Sequence, residues 1–154
     1  MEMEPPVRRV ASGGFAVTLS DDERDVLRGL PTQLRELLGS DDPSLRRLFP
    51  PAYPDDDELE AEYRQLMSED LLAGHAASLD LMEATVDHDE LTEDELVGWL
   101  GALNDLRLVL GTRLDVTEDL DPTTIDPKDP RRHAFALYHY LTWLQDEVIT
   151  ALSG

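Results

Sequence analysis

Apolar residues recur every three to four positions over four stretches of this chain, a spacing that predicts four main helices. The first opens after Ser20 and carries Val26, Leu27, Leu30, Leu34, Leu37 and Leu38 on one side. Ser20 and Glu23 have the spacing of a capping box. Gly29 and Pro31 interrupt this stretch, so it reads equally as one kinked helix or two short ones. The second helix is expected from Asp57 to Ala84, with Asp55 and Glu58 spaced as an N-cap pair. Its stripe is Leu59, Tyr63, Leu66, Ala73, Ala77 and Leu81. TVDHDEL then turns the chain, and Thr92 with Glu95 forms a second capping box. The third helix carries Leu96, Trp99, Leu100, Leu103, Leu106 and Leu110, and stops near Gly111 or a few residues later. The fourth, over 131–152, carries Phe135, Tyr138, Leu141, Leu144, Val148 and Leu152.

Between and before the helices the pattern changes. Residues 1–6 read as a flexible lead-in, and segments 7–11 and 15–19 tend to β-structure around Gly13-Gly14, the makings of a tight hairpin. A lone hairpin is marginal in water, so this one needs helices or a further strand to lean on. Residues 39–57 form a proline-rich acidic loop, with Leu45, Leu48, Phe49 and Tyr53 as its anchors. Residues 115–130 hold three Asp-Pro dipeptides and are expected to be a loop, because the residue before proline is pushed out of the helical region. The expected fold class is mainly α: a bundle-like single domain over 7–152, four main helices with a short N-terminal β-hairpin.

Winding each helix at 100° per residue places one polar residue inside each of the last three stripes. These are Asp70 in the second helix, Arg107 in the third and Gln145 in the fourth. A buried charge without a partner costs several kcal/mol, so Arg107 must be matched. The economical match is a structural polar network in which Arg107 forks onto Asp70 and Gln145 fills the remaining bonds. An interface and an anion-binding cavity are the two other readings of Arg107.

Charge alters the picture. The 154 residues include 34 acids against 13 basic residues, a net charge of −21, and no cysteine. Such a surface repels phosphate, so direct nucleic-acid or anionic-membrane binding is not expected. Without cysteine there is no disulfide, thiol catalysis or thiolate metal site. The opening MEMEPPVRRVASGG resembles neither a signal peptide nor a transit helix, and no apolar run is long enough to span a membrane. A soluble, cytoplasmic protein is the expectation. No Lys or Arg falls between Arg64 and Arg107, whereas acids crowd that interval and 55–62, giving one acidic side. A field of that sign steers partners with a basic surface. Trp99, Tyr140 and Trp143 are candidate interface residues, and a homodimer is expected.

Candidate chemistry is thin. His88 sits among Asp87, Asp89 and Glu90 with Glu83 one turn back, the weak makings of a divalent-metal site. No HExxH or EF-hand spacing accompanies it, no GxSxG surrounds a serine, and Gly13-Gly14 lacks the rest of a phosphate loop. His75 reads as an edge-of-core histidine. No catalytic residue and no cofactor are assigned. A carboxylate-based or metal-dependent hydrolase centred near His88 is the alternative to a non-enzymatic interaction protein.

The segment NDLRLVLGTRLDVTED (104–119) resembles the signature of the actinobacterial family known as domain of unknown function 2017. The likeness extends to GGFAVTLSDDERDVLRGL, DPSLRRLFPPAYPDD and the closing YHYLTWLQDEVITAL, and so covers nearly the whole chain. It implies a small helical protein akin to an oxidative-stress transcriptional regulator that contacts a sigma factor. Gene neighbourhoods in the family also imply a link to Clp proteolysis through an adaptor. The redox branch of the family works through a disulfide between two nearby cysteines. This chain has none, and cannot share that switch.

Overall fold

Gly13 adopts a φ of 94°, a left-handed conformation that suits glycine, and turns the chain between β1 (Val7–Arg9) and β2 (Phe15–Val17). The computed structural model describes residues 5–38, 40, 42–49, 51–114 and 128–154. The two strands pair antiparallel with Val7 opposite Val17 and Arg9 opposite Phe15. A third strand, β3 (Glu90–Leu91), adds to β2 with Leu91 opposite Phe15. The sequence pattern marked this segment only as a turn. It supplies the partner strand that a hairpin of this size needs. Val7, Phe15, Val17 and Leu91 are all buried.

Helix α1 (Asp21–Leu38) runs unbroken through Pro31, so the two-helix alternative does not hold. Pro31 supplies no N–H to the Leu27 carbonyl, but it is buried with Leu27, Leu34 and Leu38, and packing holds the helix together across the gap. The Ser20–Glu23 capping box is present: the Glu23 N–H donates to Ser20 Oγ at 3.2 Å and the Ser20 N–H to Glu23 Oε1 at 3.1 Å. A 3₁₀ turn, Pro43–Leu45, follows, with Leu45 and Leu48 buried as anchors and Tyr53 exposed.

Helix α2 (Asp57–Thr85) is capped by Asp56, one residue beyond the expected Asp55, whose carboxylate accepts from the Leu59 N–H at 3.1 Å. Its two ends behave differently. Leu79 and Met82 are fully buried, whereas Leu59 and Leu66 are 43% and 77% exposed. Leu59, Leu66, Ala73 and Ala77 of the expected stripe therefore point outward, while its last member, Leu81, packs beside Gly98 and the body takes the face of Leu79 and Met82.

Helix α3 (Glu93–Arg113) begins at the predicted Thr92–Glu95 capping box and packs against α1, α2 and α4 (Arg132–Ser153). A Cβ on Gly98 would fall 2.3 Å from Leu81 Cδ2, so the approach of α2 to α3 depends on its absence. Leu96, Trp99, Leu103, Leu141, Leu144 and Val148 join the sheet residues in one core. The architecture is mainly α, with four helices and a small antiparallel sheet among the described residues. Most of the loop expected at 115–130, and the lead-in up to residue 4, lie outside the described residues. Among the described residues no helix is long and apolar enough to cross a membrane.

Candidate functional site

The buried arginine of this fold is Arg24. Its Nη1 donates to the carbonyls of Val86 and His88 at 2.8 and 3.0 Å, and its Nη2 to the Val17 carbonyl and Asp89 Oδ1, both at 3.3 Å. Nε reaches the Leu19 carbonyl at 3.4 Å. One guanidinium thus ties β2, the start of α1 and the α2–β3 turn together, using the fork of donors only arginine offers. The sequence reading passed over it. Winding α1 at 100° per residue puts Arg24 beside Leu27, Pro31, Leu34 and Leu38, so the signal that singled out Arg107 was present here too.

Arg107 and Gln145 do converge, but on Asn104 rather than on Asp70. Arg107 Nη2 and Gln145 Nε2 each lie 3.3 Å from Asn104 Oδ1. Asp70 is exposed on the outward side of α2 and takes no part, which corrects the expected Asp70–Arg107 pair. The stripe on which Asp70 was centred is the outward one. Arg107 Nε and His139 Nε2 are buried without a hydrogen-bond partner among the described residues.

His75 marks a second polar site that spacing alone did not reveal. Its Nδ1 lies 2.6 Å from Asp105 Oδ2, and its Nε2 lies 3.2 Å from the Leu48 carbonyl. Phe49 packs edge-on against the ring at 5.2 Å. With an acceptor at each nitrogen, the doubly protonated ring fits best. The Asp105 hydrogen bond accordingly raises the His75 pKa above its ordinary value, against the opposing effect of burial. Among the described residues no serine, threonine or other nucleophile is bonded to the pair, which joins α2, α3 and the segment after the 3₁₀ turn.

The carboxylates around His88 are already engaged. Asp87 bonds Arg28, Asp89 bonds Arg24, and Glu83 and Asp80 both bond Arg35. His88 itself is exposed, and no group of three His, Asp or Glu side chains arranged to hold a metal occurs among the described residues. A cavity of about 490 Å³ opens beside the 3₁₀ turn, lined by Leu38, Leu45, Phe49, Leu72, Arg46 and Arg64 among others. Arg64 there is held by Glu60 at 2.6 Å and by the Phe49 carbonyl at 2.7 Å.

Of the three aromatic residues expected at an interface, Trp99 is in the core. It is fully buried, and its indole N–H donates to Thr85 Oγ1 at 2.7 Å. It lies on the inner side of α3 with Leu96, Leu103 and Leu106. Tyr140 is half-buried and donates to Glu23 Oε2 at 2.7 Å, so the carboxylate that caps α1 also secures α4. Burial opposes ionisation of Glu23, but the bonds from Tyr140 and Ser20 outweigh it and lower its pKa. Trp143 remains outside, 45% exposed, with its ring 5.9 Å from that of Tyr140.

The arginines of α1 redistribute the acidic side. Arg24, Arg28 and Arg35 reach across to the second half of α2 and its turn, compensating Asp80, Glu83, Asp87 and Asp89. The first half of α2 has Arg64 as its single cation, paired with Glu60. Glu58, Glu62, Glu69 and Asp70 stand exposed there, with no salt bridge among the described residues. Exposed acids without a salt bridge among the described residues also stand at the starts of α1 and α3, so this end of α2 is one of several such groups.

The profile of a family described as "Domain of unknown function (DUF2017)" matches residues 3–152. A protein of Mycobacterium leprae designated AosR is 32% identical over 148 residues, covering 85% of this chain and 67% of that protein. Proteins named oxidative stress regulator AosR from Mycobacterium bovis and Mycobacterium tuberculosis are each 31% identical over 150 residues, covering 86% of this chain and 67% of theirs. No solved structure matches the chain.

Proposed function

Because this chain belongs to the DUF2017 family, whose mycobacterial relatives are named as oxidative stress regulators, we propose that it is a non-enzymatic regulator acting through protein contacts. The observation that carries this reading is the acidic end of α2, where Glu58, Glu62, Glu69 and Asp70 stand exposed with no salt bridge among the described residues. A run of unpaired acids along one helix favours encounter with a basic protein surface and disfavours phosphate. The partner is a sigma factor, as the family resemblance implies, and transcription is influenced through that protein rather than by gripping DNA. The protein works in the cytoplasm as a homodimer, with the exposed Trp143 as its self-contact. Regulation here does not pass through a thiol, since the chain has no cysteine.

Purified sigma factors from the host, passed over the immobilised full chain, test the reading. One of them should be retained, and retention should fall steeply as salt is raised. Retention of none, at low salt and with the chain folded, would overturn it.

A further inference from the structure

The acidic end of α2 also carries an apolar face left exposed by the described residues. At 100° per residue, Leu59, Leu66, Ala73 and Ala77 fall on the side opposite Leu79 and Met82, which enter the core. Leu66 is 77% exposed and Leu59 43%, while Ala73 and Ala77 are exposed as well. Tyr63 lies between the two leucines, and Tyr53 meets it edge-on at 6.1 Å. A Cβ placed on Gly74 would meet nothing within 4 Å, so beyond Asp70 the face continues as a shelf of small residues. Large apolar side chains at seven-residue spacing, leading onto a small-residue shelf, form a seam along which a second helix can lie.

Charge decides what kind of helix. Glu58, Glu62 and Glu69 flank the seam, Asp70 lies within it between Leu66 and Ala73, and the nearest cation on this end, Arg64, is taken by Glu60. A second copy of α2 laid on the seam would set these carboxylates against their own counterparts, and like charges across a helix pair are repulsive. A lysine- or arginine-rich helix would meet both features at once, its apolar stripe on the leucines and its cations on the flanking acids.

We propose that the outward face of the first half of α2 is a docking surface for a basic amphipathic helix of a partner protein. The inference rests on the protein-contact reading above and specifies the surface and the partner's secondary structure. Leu59, Tyr63 and Leu66 give the hold, the Ala73–Ala77 shelf allows close approach, and the four acids select the sign of the partner's charge.

Three labelled synthetic peptides test it by fluorescence anisotropy with the full chain. One is a leucine–lysine amphipathic helix, the second replaces each lysine by glutamate, and the third scrambles the first so that its leucines no longer share a face. The first should bind, and the other two should bind about tenfold more weakly or less, the difference expected when a central apolar contact or the charge match is lost. The double variant Leu59→Ser with Leu66→Ser, at exposed positions and with its melting temperature checked against the parent, should weaken the first peptide by about tenfold. Equal binding of the scrambled peptide, equal binding of the glutamate peptide, or indifference to the double variant would each overturn the proposal. Sedimentation showing a parent dimer that the double variant splits would overturn it too, in favour of a second copy on this face. A sigma factor that still binds the double variant refutes this surface but not the functional reading. Peptide binding without any sigma-factor binding refutes the converse.

Discussion

Replacing His75 by leucine tests the polar pair at the junction of α2 and α3. Asp105 is 5% exposed and its Oδ2 lies 2.6 Å from His75 Nδ1. Removing the imidazole leaves a carboxylate in the interior without its cation, a change that costs about 3–5 kcal/mol at fully buried pairs. The His75 side chain keeps 21% of its surface exposed, so water can reach part of the vacated space, and a loss of about 2–4 kcal/mol is expected. Urea unfolding, read as midpoint times slope, measures it. The pH dependence has a definite sign. The Asp105 bond raises the folded-state pKa of His75 against the effect of burial, helped by the Asp105 charge and the Leu48 carbonyl. Stabilisation from a raised histidine pKa is fully present below the unfolded value of about 6.5 and is lost as pH rises through the folded one. The stability gap between the parent and His75→Leu should therefore narrow as pH rises above about 6.5. In Asp105→Asn, the His75 pKa followed by NMR should drop from its value in the parent. A gap that stays constant or widens with pH, or a loss below about 1 kcal/mol, would refute the reasoning.

Other predictions concern the clamp, the cap and the two tryptophans. Arg24→Met should cost at least about 2 kcal/mol in urea unfolding, since the Val17, Val86 and His88 carbonyls lose their shared donor. Arg24→Lys should restore only part of this, because an ammonium cannot span the same set of acceptors. Thr92→Ala should cost about 1 kcal/mol through loss of the α3 cap, measured the same way. Trp143→Phe should leave a blue-shifted emission that acrylamide quenches poorly, and Trp99→Phe a red-shifted, readily quenched one, because only Trp99 is sealed in the core.

Features written in short-range pattern were legible in the sequence. The Ser20–Glu23 and Thr92–Glu95 boxes are both formed, the glycine pair makes the turn, and the four helices begin and end within a few residues of their predicted limits. What failed depended on choosing between faces of one helix. Helix α2 carries two apolar stripes, and periodicity does not say which the body takes. Over the second half of the helix the inner one offers Leu79 and Met82 where the outer offers Ala73 and Ala77, and the larger pair is buried. That choice left Asp70 outside and away from Arg107. The His75–Asp105 pair was hidden for a different reason: its members are 30 positions apart, and only the antiparallel packing of α2 on α3 brings them together. Arg24 could have been found, since it shares its side of α1 with residues that are buried.

The first strand and the last helix of the fold rest on each other: β1 packs against α4, and Arg9 Nη2 reaches the Leu152 carbonyl at 3.4 Å across 143 positions. Tyr140 on α4 likewise reaches back to Glu23. This connectivity has a kinetic consequence. During synthesis the β1–β2 hairpin is made well before β3 and α4, and its strand edges stay exposed until these follow. Contacts this distant in sequence also slow closure once the chain is free. Fragments ending before Arg132 should therefore aggregate rather than fold, and refolding of the full chain should be limited by the docking of α4.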